Sequence, residues 1–266
     1  MTPIHRHTPR KRFGQHFLQD AAVIQRILET LAPSDADWWV EIGPGEGVLT
    51  AALLRRCRRL DAVEIDRDLV ASLTRRFAGE TRLRLHQADA LKFDFRALAG
   101  GERLRLVGNL PYNISTPLLF HLFRQADAIR DLHVMLQKEV ADRLAAGPRD
   151  PGYGRLSVMA QYHGRVEKLF EVPAEAFHPR PKVVSAMVRV VPHGKPVVEA
   201  GREDLERVVA LAFSQRRKTL RNSVRSLFEE QDLRRLGLDP EARAETLSLD
   251  DYARLALCLA EQRARR

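Results

Sequence analysis

The run WWVEIGPGEGVLT, residues 38–50, sets Gly43, Gly45 and Gly47 between an apolar stretch and a helical pattern. Glycine at such a junction lets the chain turn sharply and pass close to a ligand that a Cβ would push away. The spacing is GxGxG rather than the GxGxxG of dinucleotide sites, because Val48 stands at the last position. Two acids extend the pattern. Glu64 closes the next apolar run, about 20 residues after the first glycine, where a carboxylate can accept both hydroxyls of a ribose. Asp89, in QADA, closes the third and can take the amino group of an adenine. The chain has no HExxH, no CxxC and no GxSxG around Ser115, so Ser115 and His121 do not read as a hydrolase pair and no metal ion is expected. Cys57 and Cys258 fall in helical patterns and read as small buried apolar residues.

Short apolar runs at 38–42, 60–65, 83–87, 104–108 and 132–137 alternate with helical patterns at 48–56, 68–77, 95–98 and 116–123. That alternation is the mark of an α/β fold with a parallel sheet, and the glycines and acids then lie at the carboxyl ends of strands, where open α/β sheets bind ligands. After the breaker-rich GPRDPGYG loop, residues 156–163 read as helix, while 166–172 and 183–191 read as strands and suggest an antiparallel addition to the sheet. The PHGKP segment, 192–196, is a linker candidate, and helical patterns follow at 203–213, 217–229, 232–236 and 249–262. The expected division is a ligand-binding domain over 1–194 and a small all-helical C-terminal domain over 195–266.

VEIGPGEG, VEID, QADA and GNLPYNIS, in this order and spacing, resemble the class I adenine-N6 RNA methyltransferases, which have a Rossmann-like, mostly parallel sheet. KRFGQHFL at 11–18 and QRRKTLRNS at 215–223 narrow the resemblance to the bacterial dimethyladenosine transferase family, over the chain from about Lys11 onward. The resemblance implies S-adenosylmethionine as cofactor, contacted by His16, Leu18, Gly43, Gly45, Glu64, Asp89 and Asn109, with Gln15 lining the same pocket. It also implies the reaction: transfer of two methyl groups to N6 of each of two adjacent adenosines in the 3′-terminal hairpin of 16S ribosomal RNA, in the maturing small ribosomal subunit.

An exocyclic adenine amine is a poor nucleophile because its lone pair is delocalised into the ring. Two acceptors for its N–H bonds favour a more tetrahedral nitrogen and aim the lone pair, a gain from positioning and electrostatics. Asn109-Leu110-Pro111-Tyr112 has the parts: the Asn109 side-chain oxygen and the Leu110 carbonyl as acceptors, Pro111 to fix the backbone, and Tyr112 to stack on a base. Asn before such a sequence is also an ordinary turn former. A base taken out of its stack needs a second wall. On the resemblance this is Phe177 in AFHPRPKVVS, with core packing beside the prolines as the competing reading.

The net charge of +9 suits a polyanionic partner, although only seven of the 44 basic residues are lysine, so the charge's location matters more than its sum. On a helix begun at Arg217, Arg217, Arg221 and Arg225 form one stripe, with Leu220, Val224 and Leu227 on another face. Arg216, Lys218 and the basic Arg6, Arg10, Lys11 and Arg12 add to an expected RNA surface. No run is long and apolar enough to span a membrane or to act as a secretory signal, so a cytoplasmic monomer is expected. The readings to set aside are a macrolide-resistance methyltransferase acting on large-subunit RNA, a non-catalytic RNA-binding assembly factor, and a protein-glutamine or DNA-adenine methyltransferase.

Overall fold

Strands whose residues are apolar at nearly every position can be buried on both faces, and such strands form the centre of this molecule. The computed structural model describes residues 15–215 and 217–265. In chain order the first elements are β1 (Phe17–Leu18), α1 (Ala21–Leu31), β2 (Trp38–Ile42), α2 (Val48–Leu53), β3 (Arg59–Glu64), α3 (Arg67–Arg76), β4 (Leu83–Gln87), α4 (Phe95–Ala99), β5 (Leu104–Asn109), α5 (Ser115–Phe123) and β6 (Ile129–Gln137). Then come α6 (Lys138–Ala145), α7 (Arg155–His163), β7 (Gly164–Val172), β8 (Phe177–His178), β9 (Ser185–Pro192), α8 (Arg202–Ala212), α9 (Leu220–Val224), α10 (Glu230–Arg235) and α11 (Leu249–Ala264). No helix among the described residues is long and apolar enough to cross a membrane.

The seven-stranded sheet runs β4-β3-β2-β5-β6-β9-β7. β4, β3, β2, β5 and β6 are parallel and β9 joins antiparallel to β6, as the α/β reading with an antiparallel addition expects. The chain builds outward from β2 to β4, then returns to lay β5 on the other side of β2. That reversal makes the carboxyl ends of β2 and β5 the switch point where a crevice opens. At the opposite end of the strands, Arg105 holds two buried carboxylates, Asp37 at 2.8 Å and Asp131 at 3.1 Å, and also donates to the Leu31 carbonyl at 3.0 Å. Hydrogen bonds to Ser34 and Arg105 hold the Asp37 carboxyl below the ordinary range against the opposing effect of its burial.

α1 was not anticipated from the sequence. Asp20 caps it by accepting from the N–H groups of Ala22 and Val23, and Ile27 and Leu31 enter a core with Trp39, Leu60, Val107, Met135 and Phe177. β1 and β8, also unanticipated, pair as a two-residue antiparallel bridge, Phe17 opposite His178 and Leu18 opposite Phe177.

The single cut expected at 194/195 gives way to a different division. Among the described residues, one compact unit comprises those up to Ala141 with Glu167–Pro192; the other comprises Asp142–Val166 with those from His193 onward. The second unit recruits α7, and its core holds two fully buried tyrosines whose hydroxyls donate to backbone carbonyls, Tyr153 to Leu247 at 2.9 Å and Tyr252 to Ala244 at 2.6 Å. The helix expected over 217–229 is only the five-residue α9. Its first N–H groups are taken by a neighbouring segment, Leu220 donating to the Ala242 carbonyl at 2.7 Å and Arg221 to that of Pro240 at 3.1 Å, and Thr219 bridges Arg243.

Candidate active site

The crevice at the switch point is a cavity of about 250 Å³, lined by residues from the ends of β2, β3 and β5, the loop after β4, and the segment 15–18. The glycine loop leaves β2 in a left-handed conformation. At Gly45 (φ 58°) a Cβ would come within 2.8 Å of the Phe17 ring, and at Gly47 (φ 77°) within 2.6 Å of a Leu73 methyl, so neither position admits a side chain without displacing the wall behind it. Phe17 therefore packs against the loop and brings the N-terminal segment over the crevice.

Glu64 ends β3 and is nearly buried. Burial holds its carboxyl above the ordinary range, although the backbone N–H groups of Asp66, at 2.9 Å, Gly45 and Ile65 all bond to it. Asp89 lies two residues beyond β4. Its Oδ1 accepts the Leu91 N–H at 2.9 Å, and it lines the cavity together with apolar residues that include Ile65, which is 46% exposed, Ala90, Leu91 and Ile114. Gln15 donates to Asp66 at 3.3 Å, and both His16 and Leu18 line the cavity as expected.

One lining residue escaped sequence reasoning. Glu41, in the middle of β2, is 3% exposed, and burial with the nearby Glu64 pushes its carboxyl up to about 7, moderated by a 2.6 Å hydrogen bond from the Thr50 hydroxyl. Its signal was legible: a lone carboxylate inside an otherwise apolar central strand must have a partner or a purpose. Two buried carboxyl groups thus share a cavity whose lining, among the described residues, contains no lysine or arginine. A cationic ligand is what such a wall suits.

Asn109 ends β5, and its orientation is set by the segment 15–18. Its Nδ2 donates to the His16 carbonyl at 2.7 Å, and only the amide nitrogen can make that bond, so Oδ1 is the atom left to accept. The Leu110 side chain is buried and its N–H is held by the Met135 carbonyl at 3.1 Å, which pins the backbone beside it. Tyr112 lies half-buried at the cavity edge, its ring stacked with that of His16 at 5.4 Å and its hydroxyl 2.7 Å from the Ser185 hydroxyl.

The structure does not bring Phe177 to this cavity. It is 4% exposed and packs in the core cluster, because the β1–β8 bridge sets it opposite Leu18 and turns its neighbour His178 outward. The arginine stripe also differs from expectation. Arg217 and Lys218 lie exposed before α9 and Arg225 exposed at its end, while Arg221 pairs with Glu241 at 2.8 Å and Glu230 at 3.4 Å. Arg216, like Arg6, Arg10, Lys11 and Arg12, lies outside the described residues.

A doubly wound sheet of this strand order, with a glycine loop, a ribose-type acid and an Asn-Leu-Pro-Tyr loop around one crevice, defines a class I, Rossmann-like methyltransferase. The chain belongs to the ribosomal RNA adenine dimethylase family, whose family model matches residues 6–261. It is similar to the ribosomal RNA small subunit methyltransferase A of Methylococcus capsulatus, 60% identical with 94% of this chain and 98% of the relative covered, and to that of Pseudomonas fluorescens, 54% identical over 100% and 98%. Among solved structures it resembles a dimethyladenosine transferase from Plasmodium falciparum, with TM-score 0.81 and 25% identity over 93% of this chain and 98% of that one. It also resembles the 23S rRNA methyltransferase ErmE, with TM-score 0.70 and 28% identity over 92% and 99%. It is an S-adenosylmethionine-dependent rRNA methyltransferase. The cavity's chemistry suits that cofactor: among the described residues its lining carries Glu41, Glu46, Glu64 and Asp89 beside apolar side chains, with no basic side chain except His16, which favours a ligand that carries positive charge.

Proposed function

We propose that this protein dimethylates N6 of two adjacent adenosines in the 3′-terminal hairpin of 16S ribosomal RNA, acting as a cytoplasmic monomer on the small ribosomal subunit during its maturation. The observation that carries the reading is the commitment of the Asn109 Nδ2 to the His16 carbonyl, at 2.7 Å, which aims the other amide atom as an acceptor. Asn109 Oδ1 and the Leu110 carbonyl accept the two N–H bonds of the target amine and aim its lone pair. After one methylation a single N–H remains, and the same acceptors hold it for the second. Tyr112 stacks on the extruded base. Gln15, His16, Leu18, Gly43, Gly45, Glu64 and Asp89 hold the cofactor, and bound S-adenosylmethionine supplies an activated methyl group on a sulfonium. Arg216, Arg217, Lys218 and Arg225 hold phosphates.

The test is methyl transfer from labelled S-adenosylmethionine to small subunits that lack the modification, with the product nucleoside mapped. Asn109→Ala is expected to lower kcat by about 10²-fold, the range for losing one positioned polar group in an active site. Transfer to large-subunit RNA instead would contradict the substrate assignment, and binding without transfer would contradict the reaction.

A further inference from the structure

A tyrosine on a loop has two side-chain torsions to fix before its ring can serve as a wall. Tyr112 follows β5 in a tight turn, the Ile114 N–H donating to the Pro111 carbonyl at 3.1 Å, so backbone alone places its Cα but not its ring. Two contacts fix the ring. His16 covers one side, with centroids 5.4 Å apart and planes at 27°. At the tip, the phenol oxygen lies 2.7 Å from Oγ of Ser185. Ser185 is itself 0% exposed and heads β9, opposite Gln137 of β6, so the anchor is part of the sheet and does not move with the loop.

We propose that Ser185 is a positioning residue for the reaction: through the Tyr112 hydroxyl it holds the ring at the angle on which the target adenine stacks. The inference rests on the reading of Tyr112 as the base-stacking wall. A phenylalanine would offer a base the same π face, so stacking alone does not call for the hydroxyl. The opposing explanation is that the bond only satisfies a buried serine, as buried polar groups generally require. The two differ in what they predict for RNA kinetics.

The experiment compares wild type, Ser185→Ala, Tyr112→Phe, the double variant and Tyr112→Ala, with saturating S-adenosylmethionine and undermethylated small subunits. Cofactor Kd and Tm are measured alongside. Ser185→Ala and Tyr112→Phe are each expected to lower kcat by roughly three- to tenfold, the scale of one net hydrogen bond, with cofactor Kd unchanged and Tm lowered by no more than the few degrees that the same bond contributes. The double variant is expected to lose no more than either single one, because both delete the same bond. An RNA hairpin carrying fluorescent 2-aminopurine at the target position should show weaker quenching on both single variants. Wild-type turnover in Ser185→Ala, or losses that multiply in the double variant, would overturn the proposal. Wild-type turnover in Tyr112→Ala would instead sink the stacking reading beneath it, so the two failures are distinguishable.

Discussion

Whether a residue reaches a site depends on where its neighbours send its side chain. Phe177 and Glu41 make the point in opposite directions. The AFHPRPKVVS pattern recommends Phe177 as a wall, yet the bridge with Leu18 buries its ring in the core. Phe177→Ala is therefore expected to cost about 3–5 kcal/mol of stability, measured by urea unfolding. A loss below about 1 kcal/mol with defective methylation would return the residue to the site. Glu41, hidden in an apolar strand, shares the cofactor cavity, with its carboxyl pushed up to about 7. A cationic ligand favours the ionised form, so cofactor affinity should rise as pH increases from about 6 to about 8, with a proton released on binding. Calorimetry in buffers of different ionisation enthalpy measures that proton. Glu41→Gln should remove most of the slope; an unchanged slope would mean that another group titrates.

Elements with strong periodicity and clear punctuation were legible before the fold was known. β2 and β4 begin and end where the sequence places them, β2 as an apolar run bounded by Asp37 and Gly43 and β4 as an alternating Leu83-Arg84-Leu85 pattern that ends two residues before Asp89, and the strand pattern put Gly43, Glu64, Asp89 and Asn109 at strand ends at once. What escaped has physical reasons. β1 and β8 are two residues each and exist only because segments some 160 positions apart in sequence meet. α6 follows β6 with no breaker between Gln137 and Lys138, so the change of period carries no boundary mark. α9 starts three residues late because the N–H groups of Leu220 and Arg221 bond to the carbonyls of residues 242 and 240, a tertiary effect that overrides the local helical pattern there. That shortening changes what the arginines can do, because Arg221 is held by two glutamates while Arg217 and Arg225 are exposed without a helix to align them. Replacing Arg217 and Arg225 by alanine should lower the slope of log affinity against log salt for RNA by about one per lost phosphate contact, and Arg221→Ala should change it little. Equal effects from all three would restore the continuous stripe.

The stability of the sheet-bearing unit follows pH through two buried groups that lie level in the sheet, one on each side of β5: Glu41 and His133 are both opposite Val107. His133 is 1% exposed, and burial depresses its imidazole to about 4, with Arg105 and Arg189 also disfavouring the charge and Asp131 opposing them. Its unfolded form takes up a proton near 6.5, so its contribution is present above that pH and is lost as pH falls toward 4, a change of up to about 3 kcal/mol. Glu41 runs the other way. Its folded form keeps a proton up to about 7 while the unfolded form ionises near 4.5, so its contribution is present below 4.5 and is lost, on a similar scale, as pH rises to 7. The carboxyls of Asp37 and Asp61, held below 3.8 in the fold, act only under more acidic conditions. The two opposed slopes overlap between about 4.5 and 6.5, and the wild type should look nearly flat there. Trp38 and Trp39, the chain's two tryptophans, both lie in β2, so their fluorescence in urea titrations reports this unit. Glu41→Gln should reveal stability that climbs with pH, and His133→Leu should reveal stability that falls as pH climbs. If neither variant tilts the profile, the flatness of the wild type reflects an absence of linkage and not a cancellation of two opposed titrations.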